Sequence, residues 1–130
     1  MSKFFVLKKR KDFLRAAKDI TIVCKNVVVQ AAHPLSDGNV LPARIGFTAT
    51  KRLGKAHIRN RTKRRLRAVI REMYDNLALK GVDYVLVGRM GTAACPYADL
   101  KRDIMYAFKK INKLILTEVK TNEKDNYLVD

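Results

Sequence analysis

Apolar and polar positions alternate with two periods along this chain. Ile58, Thr62, Leu66, Val69, Ile70, Met73 and Leu77 recur mostly three and four apart, one stripe of a helix with 3.6 residues per turn. The stripe ends near Leu79-Lys80-Gly81, where a lysine faces the negative end of the helix dipole and a glycine stops the helix. Tyr97, Leu100, Ile104, Phe108, Ile111 and Ile115 repeat in the same way behind Pro96, a favourable helix-starting residue, and predict a second long helix with a core-facing stripe. Residues 7–18 predict a short helix with Leu7, Phe13, Leu14 and Ala17 on its apolar side.

Between these helices the pattern becomes that of strands. Residues 20–32 are rich in β-branched side chains, with Lys25-Asn26 in the middle; they form one kinked strand or two short strands around a turn. His33-Pro34 ends the run, because proline donates no ladder hydrogen bond. Asp37-Gly38 is a tight-turn signal, so a hairpin is expected, with residues 43–50 as the returning strand. In that strand Ile45, Phe47 and Ala49 point one way, and Arg44, Gly46, Thr48 and Thr50 point the other, polar enough for RNA or solvent. Residues 83–89 have an unbroken apolar middle, which places them at the centre of a sheet. The predicted order is α-β-β-β-α-β-α, a single-domain α+β sandwich with a four-stranded sheet over residues 1–117. A polar, flexible tail is expected over residues 118–130.

Charge then sets the first helical stripe apart. The chain carries a formal net charge of +16, which favours a polyanionic partner such as nucleic acid. Residues 51–71 hold 10 Lys or Arg and no acid. On a helical wheel the side opposite the apolar stripe carries Asn60, Arg61, Arg64, Arg67 and Arg71, with Lys63 and Arg65 flanking the stripe. Arginine suits phosphate because its planar fork donates two parallel hydrogen bonds. An ordinary solvated helix mixes signs, whereas here the first downstream acid is Glu72.

The string Gly54 to Arg67, GKAHIRNRTKRRLR, resembles the signature of the bacterial ribonuclease P protein family, with its Arg59-Asn60-Arg61 core in a basic helix. Ile45-Gly46-Phe47-Thr48 and Lys51-Arg52-Leu53-Gly54 precede it, and the likeness runs from Lys8–Phe13 to the last helix. The resemblance implies that family's fold, including a left-handed strand–helix–strand crossover. It implies a protein that holds a catalytic RNA and the 5′ leader of precursor tRNA, one protein per RNA. It also implies that the chemistry lies in the RNA and that the holoenzyme requires Mg²⁺. By the same resemblance Arg59, Asn60, Arg61, Lys63, Arg64 and Arg67 contact the RNA subunit. Lys51, Arg52 and Lys55 extend that surface, and Arg71 continues its helix face. Phe13 matches an aromatic near the leader groove, to which Lys9 and Arg10 also belong. Ala17 and Gln30 stand where some members have aromatics. From the residues alone Phe13 is either a core anchor or a stacking platform for an unpaired base.

No catalytic constellation competes with this reading. There is no P-loop, dinucleotide fingerprint or nucleophile elbow. His33 and His57 are isolated; Asp99 and Asp103 lie among Lys101, Arg102, Lys109 and Lys110, where ion pairing is expected before metal binding. Cys24 and Cys95 lack zinc-type spacing and are expected as reduced, buried thiols in a cytoplasmic protein. No apolar run approaches the roughly 18 residues of a membrane span, and the opening run is too short for a secretory signal core. The competing classes are a ribosomal-type structural RNA binder, a duplex-DNA binder and a stand-alone nuclease. The compact Arg59-Asn60-Arg61 motif argues against the first. The near absence of base-reading side chains on the helix argues against the second. The third requires cleavage without RNA.

Overall fold

A computed structural model describes residues 3–35 and 41–128, with side chains described to residue 118. The elements are β1 (Phe5–Val6), α1 (Arg10–Ala17), β2 (Ile20–Val23), β3 (Val27–Ala32), β4 (Arg44–Thr48), a 3₁₀ turn (Lys51–Leu53), α2 (Ala56–Leu77), β5 (Asp83–Gly88) and α3 (Tyr97–Leu128). They build one five-stranded sheet in the order β1-β4-β5-β3-β2. β1, β4 and β5 run parallel, while β3 is antiparallel to both β5 and β2. The unbroken apolar run of β5 does lie at the centre. Residues 20–32 are two strands around a turn at Cys24–Asn26, closed by the Cys24 N–H donating to the Val27 carbonyl at 2.9 Å.

Two expectations are corrected. β3 and β4 do not form a hairpin: β5 lies between them, pairing with β3 on one side and β4 on the other. Asp37-Gly38 falls outside the described residues. A strand apolar on both faces gains most from two partners, and β5 outcompetes the local pairing. The sheet also has a fifth strand, because Phe5 and Val6 pair with Arg44 and Ile45. Only two residues pair, too few to show period-two alternation. Phe4 anchors the segment instead, packing edge-on against Phe47 with ring centroids 5.8 Å apart.

α2 and α3 cover one face of the sheet, where Ile45, Leu66, Ile70, Tyr84, Leu86, Ile104, Phe108 and Ile111 make the main core. The Tyr84 and Phe108 rings stack at 4.2 Å. The Tyr84 hydroxyl donates to Asn112 Oδ1 at 2.6 Å and accepts from the Leu79 N–H, so the buried phenol is satisfied and α3 is joined to the end of α2. α1 lies on the other face over a smaller cluster of Leu7, Ala16, Ala32 and Val85, with Phe13 and Val87 packed against it. The predicted apolar side of α1 is therefore rotated. Leu14 and Ala17 are exposed, and the buried residues are Ala16 and Asp12. Asp12 faces inward because Arg44 on the sheet approaches it at 3.5 Å.

Candidate nucleic-acid interface

The cationic helix is fixed from below. Thr62, Leu66, Val69, Ile70 and Met73 are its buried residues, the middle of the predicted stripe; Ile58 and Leu77 at its ends are half-buried. Burying each large aliphatic side chain contributes about 1.5–3 kcal/mol, so the stripe sets the rotation of the helix. A Cβ on Gly88 would lie 2.5 Å from Thr62 Cγ2, so β5 has no side chain where α2 approaches closest. Gly54, at φ +121°, makes the turn from the 3₁₀ segment into α2, a conformation that favours glycine.

With that rotation set, Asn60, Arg61, Arg64, Arg67 and Arg71 are exposed, while Arg59 and Lys63 are half-buried. The arginines divide by what they touch. Arg65 is committed to the protein: its guanidinium donates to the Thr92 carbonyl at 2.7 Å and the Cys95 carbonyl at 2.5 Å. Arg61 donates through Nε to the Ala93 carbonyl at 2.8 Å. Together they strap the β5–α3 loop to α2. Arg67 lies 5.3 Å over the Phe47 ring, a cation–π contact. Arg64 and Arg71 have no ion-pair partner among the described residues. Glu72, the first acid on α2, is occupied by Lys101 at 3.7 Å and by the Tyr97 hydroxyl at 2.5 Å. Partial desolvation and then the Glu72 carboxylate push Tyr97 up to about 12. α2 has no acidic residue in its first turn, so its positive dipole end adds to the charge of the exposed Lys55.

Lys51 and Arg52 are exposed on the 3₁₀ turn and line an open groove with Val87, Gly88, Arg89 and Met90. Arg89 gave no signal in the sequence beyond its charge. It is oriented by donating to the Cys24 carbonyl at 2.7 Å, and its own N–H donates to Thr92 Oγ1 at 2.8 Å.

The expected leader residues lie on the opposite side of the sheet. Phe13 is half-buried over Gly46, where a Cβ would come within 2.6 Å of its ring. The ring is packed below, as a core anchor is, and stays partly open above. Ala17 and Arg10 are exposed on α1, as is Lys9 at its N-cap. Gln30 is half-buried on β3 between two core-facing neighbours, Val29 and Ala31, and so points to the α1 side. Arg44, on the polar face of β4, is engaged within the protein. It grips Asp83 through Nε at 2.8 Å and Nη2 at 2.6 Å, and Arg15 reaches the same carboxylate at 2.8 Å. Asp83 is only 3% exposed. Hydrogen bonding to Asp83 is the main cause that raises the Arg44 pKa. The one signal for this cluster was a lone acid opening an apolar strand, since a buried carboxylate needs a cation.

Both carboxylates of the acidic pair of α3 have partners within the protein. Asp99 pairs with Arg102 at 3.2 Å, and Asp103 accepts from the backbone N–H and side-chain amide of Asn26 at 3.1 Å each. Among the described residues no three His, Cys, Asp or Glu are placed to share a metal ion, and no helix is long and apolar enough to cross a membrane. Cys24 and Cys95 are free and half-buried.

A mixed sheet whose β4–α2–β5 crossover turns a row of arginines outward defines a class: a one-domain α+β protein that displays a cationic helix. The family model for ribonuclease P matches residues 1–112. The ribonuclease P protein component of Gluconacetobacter diazotrophicus is 43% identical over 105 residues, covering 80% of this chain and 88% of that protein. That of a Geobacillus strain is 32% identical over 114 residues, covering 88% and 96%. The solved ribonuclease P protein of Staphylococcus aureus superimposes with a TM-score of 0.67 at 23% identity, covering 87% of this chain and 99% of that one. The Thermotoga maritima protein gives 0.66 at 24%, covering 81% and 96%. The structures establish the shared fold. The chain belongs to the ribonuclease P protein family, the protein component of a ribonucleoprotein nuclease of tRNA processing. Membership implies partnership with a ribonuclease P RNA.

Proposed function

We propose that this chain binds the catalytic RNA of ribonuclease P through the outer face of α2 and the adjoining Lys51–Lys55 turn. The α1 side of the sheet, around Phe13 and Gln30, holds the 5′ leader of precursor tRNA. The phosphodiester hydrolysis belongs to the RNA and its Mg²⁺, in the cytoplasm, with one protein per RNA. The observation that carries this reading is the outward row of arginines on a helix whose buried stripe leaves it no other orientation. A row of fixed cations neutralises crowded phosphates and releases their counterions, which favours assembly of RNA with RNA substrate. Phe13 supplies a partly open aromatic for one unpaired base.

The test is cleavage of precursor tRNA at low Mg²⁺ by the protein alone, by a bacterial ribonuclease P RNA alone, and by the two together. Efficient cleavage at the mature 5′ end by the mixture only is the expected result. Cleavage by the protein alone overturns the assignment of the chemistry to the RNA. No gain over the RNA alone turns the reading to a ribosomal-type structural RNA binder.

A further inference from the structure

Arg65 stands in the basic run of α2, yet its guanidinium turns away from the outer face. It is half-buried and donates to the Thr92 carbonyl at 2.7 Å and the Cys95 carbonyl at 2.5 Å. The two Nη groups that could grip a phosphate are the ones that hold the β5–α3 loop. Thr92 passes this anchorage on. It is fully buried, and its hydroxyl accepts the Arg89 N–H at 2.8 Å while donating to the Asn26 carbonyl at 2.5 Å. Its own N–H donates to the Arg89 carbonyl at 3.0 Å, so both the N–H and the carbonyl of Arg89 end on Thr92. From the far side of the loop the Arg89 guanidinium donates to the Cys24 carbonyl at 2.7 Å. A Cβ on Gly91 would lie 2.9 Å from Asn26 Oδ1, which shows how closely the loop packs on the β2–β3 turn. The Asp103 carboxylate at this turn accepts from the backbone and side-chain amides of Asn26 at 3.1 Å each and so braces the turn. No ion pair holds Arg89 among the described residues, and its side chain is exposed.

This chain of bonds ends at a groove. Tyr84 and Leu86 of β5 belong to the core under α2 and α3, so Val85 and Val87 face α1, where Val87 and Phe13 pack against the smaller cluster. Gln30 pairs with Val85, and Val28 with Val87. Val87 also lines the open groove with Lys51, Arg52, Arg89 and Met90. The sheet face of Phe13 and Gln30 therefore leads through Val87 into the groove past the end of β5, where Arg89 stands. A loop arginine ordinarily loses conformational freedom when it binds a ligand. Here its peptide groups and one Nη are fixed beforehand, so a phosphate meets a cation already in place.

We propose that Arg65 and Thr92 are positioning residues for the 5′ leader of precursor tRNA: they hold Arg89 in the groove, where its guanidinium takes a leader phosphate. They thereby join the helix that binds the catalytic RNA to the strand end that receives the substrate. The proposal rests on the reading of the α1 side of the sheet as the leader groove.

The experiment compares the wild-type chain with Arg65→Leu, Thr92→Val, Thr92→Ser, Arg89→Ala, the Arg89→Ala/Thr92→Val double variant and Arg64→Ala. Each is titrated across salt concentrations against a bacterial ribonuclease P RNA. Each is then assembled with that RNA and titrated with leaderless tRNA and with leader-bearing precursor tRNA. Arg89→Ala is expected to weaken leader-bearing substrate on the order of tenfold, for one charge-assisted contact, and to lower its salt slope by about 0.7. Arg65→Leu and Thr92→Val are expected to weaken the same substrate about three- to tenfold, with leaderless tRNA and RNA-subunit affinity unchanged. Arg64→Ala is expected to weaken the RNA subunit instead. Thr92→Ser keeps the hydroxyl and is expected to bind the leader as wild type does. The double variant is expected to match Arg89→Ala alone, because a residue that acts through Arg89 has nothing left to position. Thermal melts verify folding, and the Thr92 variants decide by the same criteria if Arg65→Leu melts below the assay temperature. Full leader affinity in Arg65→Leu and Thr92→Val overturns the proposal and leaves the leader reading standing. So do losses that add in the double variant, and so does a loss of RNA-subunit affinity in Arg65→Leu equal to that of Arg64→Ala. If the wild-type holoenzyme binds leader-bearing and leaderless tRNA alike, the leader reading fails and this proposal with it.

Discussion

Gly46 and Phe13 form a matched pair. The ring sits where any Cβ at residue 46 would be, with Leu7 Cβ 3.2 Å from the same point. Gly46→Ala is therefore expected to lift the ring from the sheet and destabilise the fold by about 1–3 kcal/mol, the usual range for overpacking. Because Phe13 lies at the proposed leader groove, precursor tRNA with a leader should lose affinity for the holoenzyme, while leaderless tRNA should not. Chemical denaturation and a leader-dependent binding titration check the two halves. An unchanged stability would show that the ring has room to move. The same scale separates two neighbours in the basic run. Arg64 faces outward without an ion-pair partner among the described residues, whereas Arg65 is spent on carbonyls of the β5–α3 loop.

Two polar clusters join elements that hydrophobic packing alone leaves loosely oriented. α1 contributes Asp12 and Arg15, β4 contributes Arg44, and β5 contributes Asp83. Removing Arg44 takes two of the three close hydrogen bonds from a buried carboxylate. Arg44→Met should cost about 3 kcal/mol, the low end for breaking a buried pair. Asp83→Asn should cost less, because Arg44 and Arg15, 34% and 31% exposed in their side chains, can turn to water. Urea denaturation of the two variants checks the order, and the reverse order would refute the account. The second cluster ties the end of β3 to the α1–β2 junction and to α3. The His33 N–H donates to Asp19 Oδ2 at 2.8 Å, and its ring meets Asp19 on one side and Glu118 on the other. Burial by itself would lower the His33 pKa, but the hydrogen bonds and charges of Asp19 and Glu118 outweigh it and raise it. Asp19 moves the other way: burial opposes, and the bonds to His33 prevail and lower it. A raised histidine adds stability below its unfolded value, about 6.5, that is lost as pH rises through the folded value. A lowered aspartate adds stability above about 3.9 that is lost as pH falls through its folded value. The stability difference between wild type and His33→Gln should thus be greatest between about pH 4 and 6.5 and shrink on both sides. Denaturation at a series of pH values checks this, and a flat difference would sink it.

At the scale of the molecule, the sheet separates two surfaces. One face carries α2 and α3, and the other carries α1 and the proposed leader groove. For a chain of net charge +16, nearly any polyanion will bind weakly, so affinity alone decides little. The informative quantity is the salt slope. Arg64→Ala and Arg67→Ala should each lower the slope for ribonuclease P RNA by roughly one for a lost phosphate contact. Arg67→Ala should also lose a few tenths of a kcal/mol in stability or slightly more, as its guanidinium lies on the Phe47 ring. Titration of both variants across salt concentrations checks this; unchanged slopes in both would remove α2 from the interface.

The sequence by itself determined that there are three helices and where they lie in the order, the central place of β5, the outward arginine row and the family; it did not show that α3 runs on to Leu128, past the tail expected from residue 118. Each is written in a local period or a contiguous motif: the stripe from Ile58 to Leu77, the apolar run of residues 83–88, and Arg59-Asn60-Arg61. Tertiary structure alone decided the partners. β5 displaced the expected β3–β4 hairpin, and the two-residue β1 was too short for any pattern. Asp12 turned inward and Leu14 outward on α1, because the ion pair that decides it comes from β4, far along the chain. Arg65 and Arg61 strap a loop 27 to 32 residues further along the chain. Periodicity reports which side of an element is buried against apolar neighbours. It carries no information on which distant carboxylate or carbonyl a cation will meet, and those meetings separate the structural arginines of this protein from the ones left facing solvent.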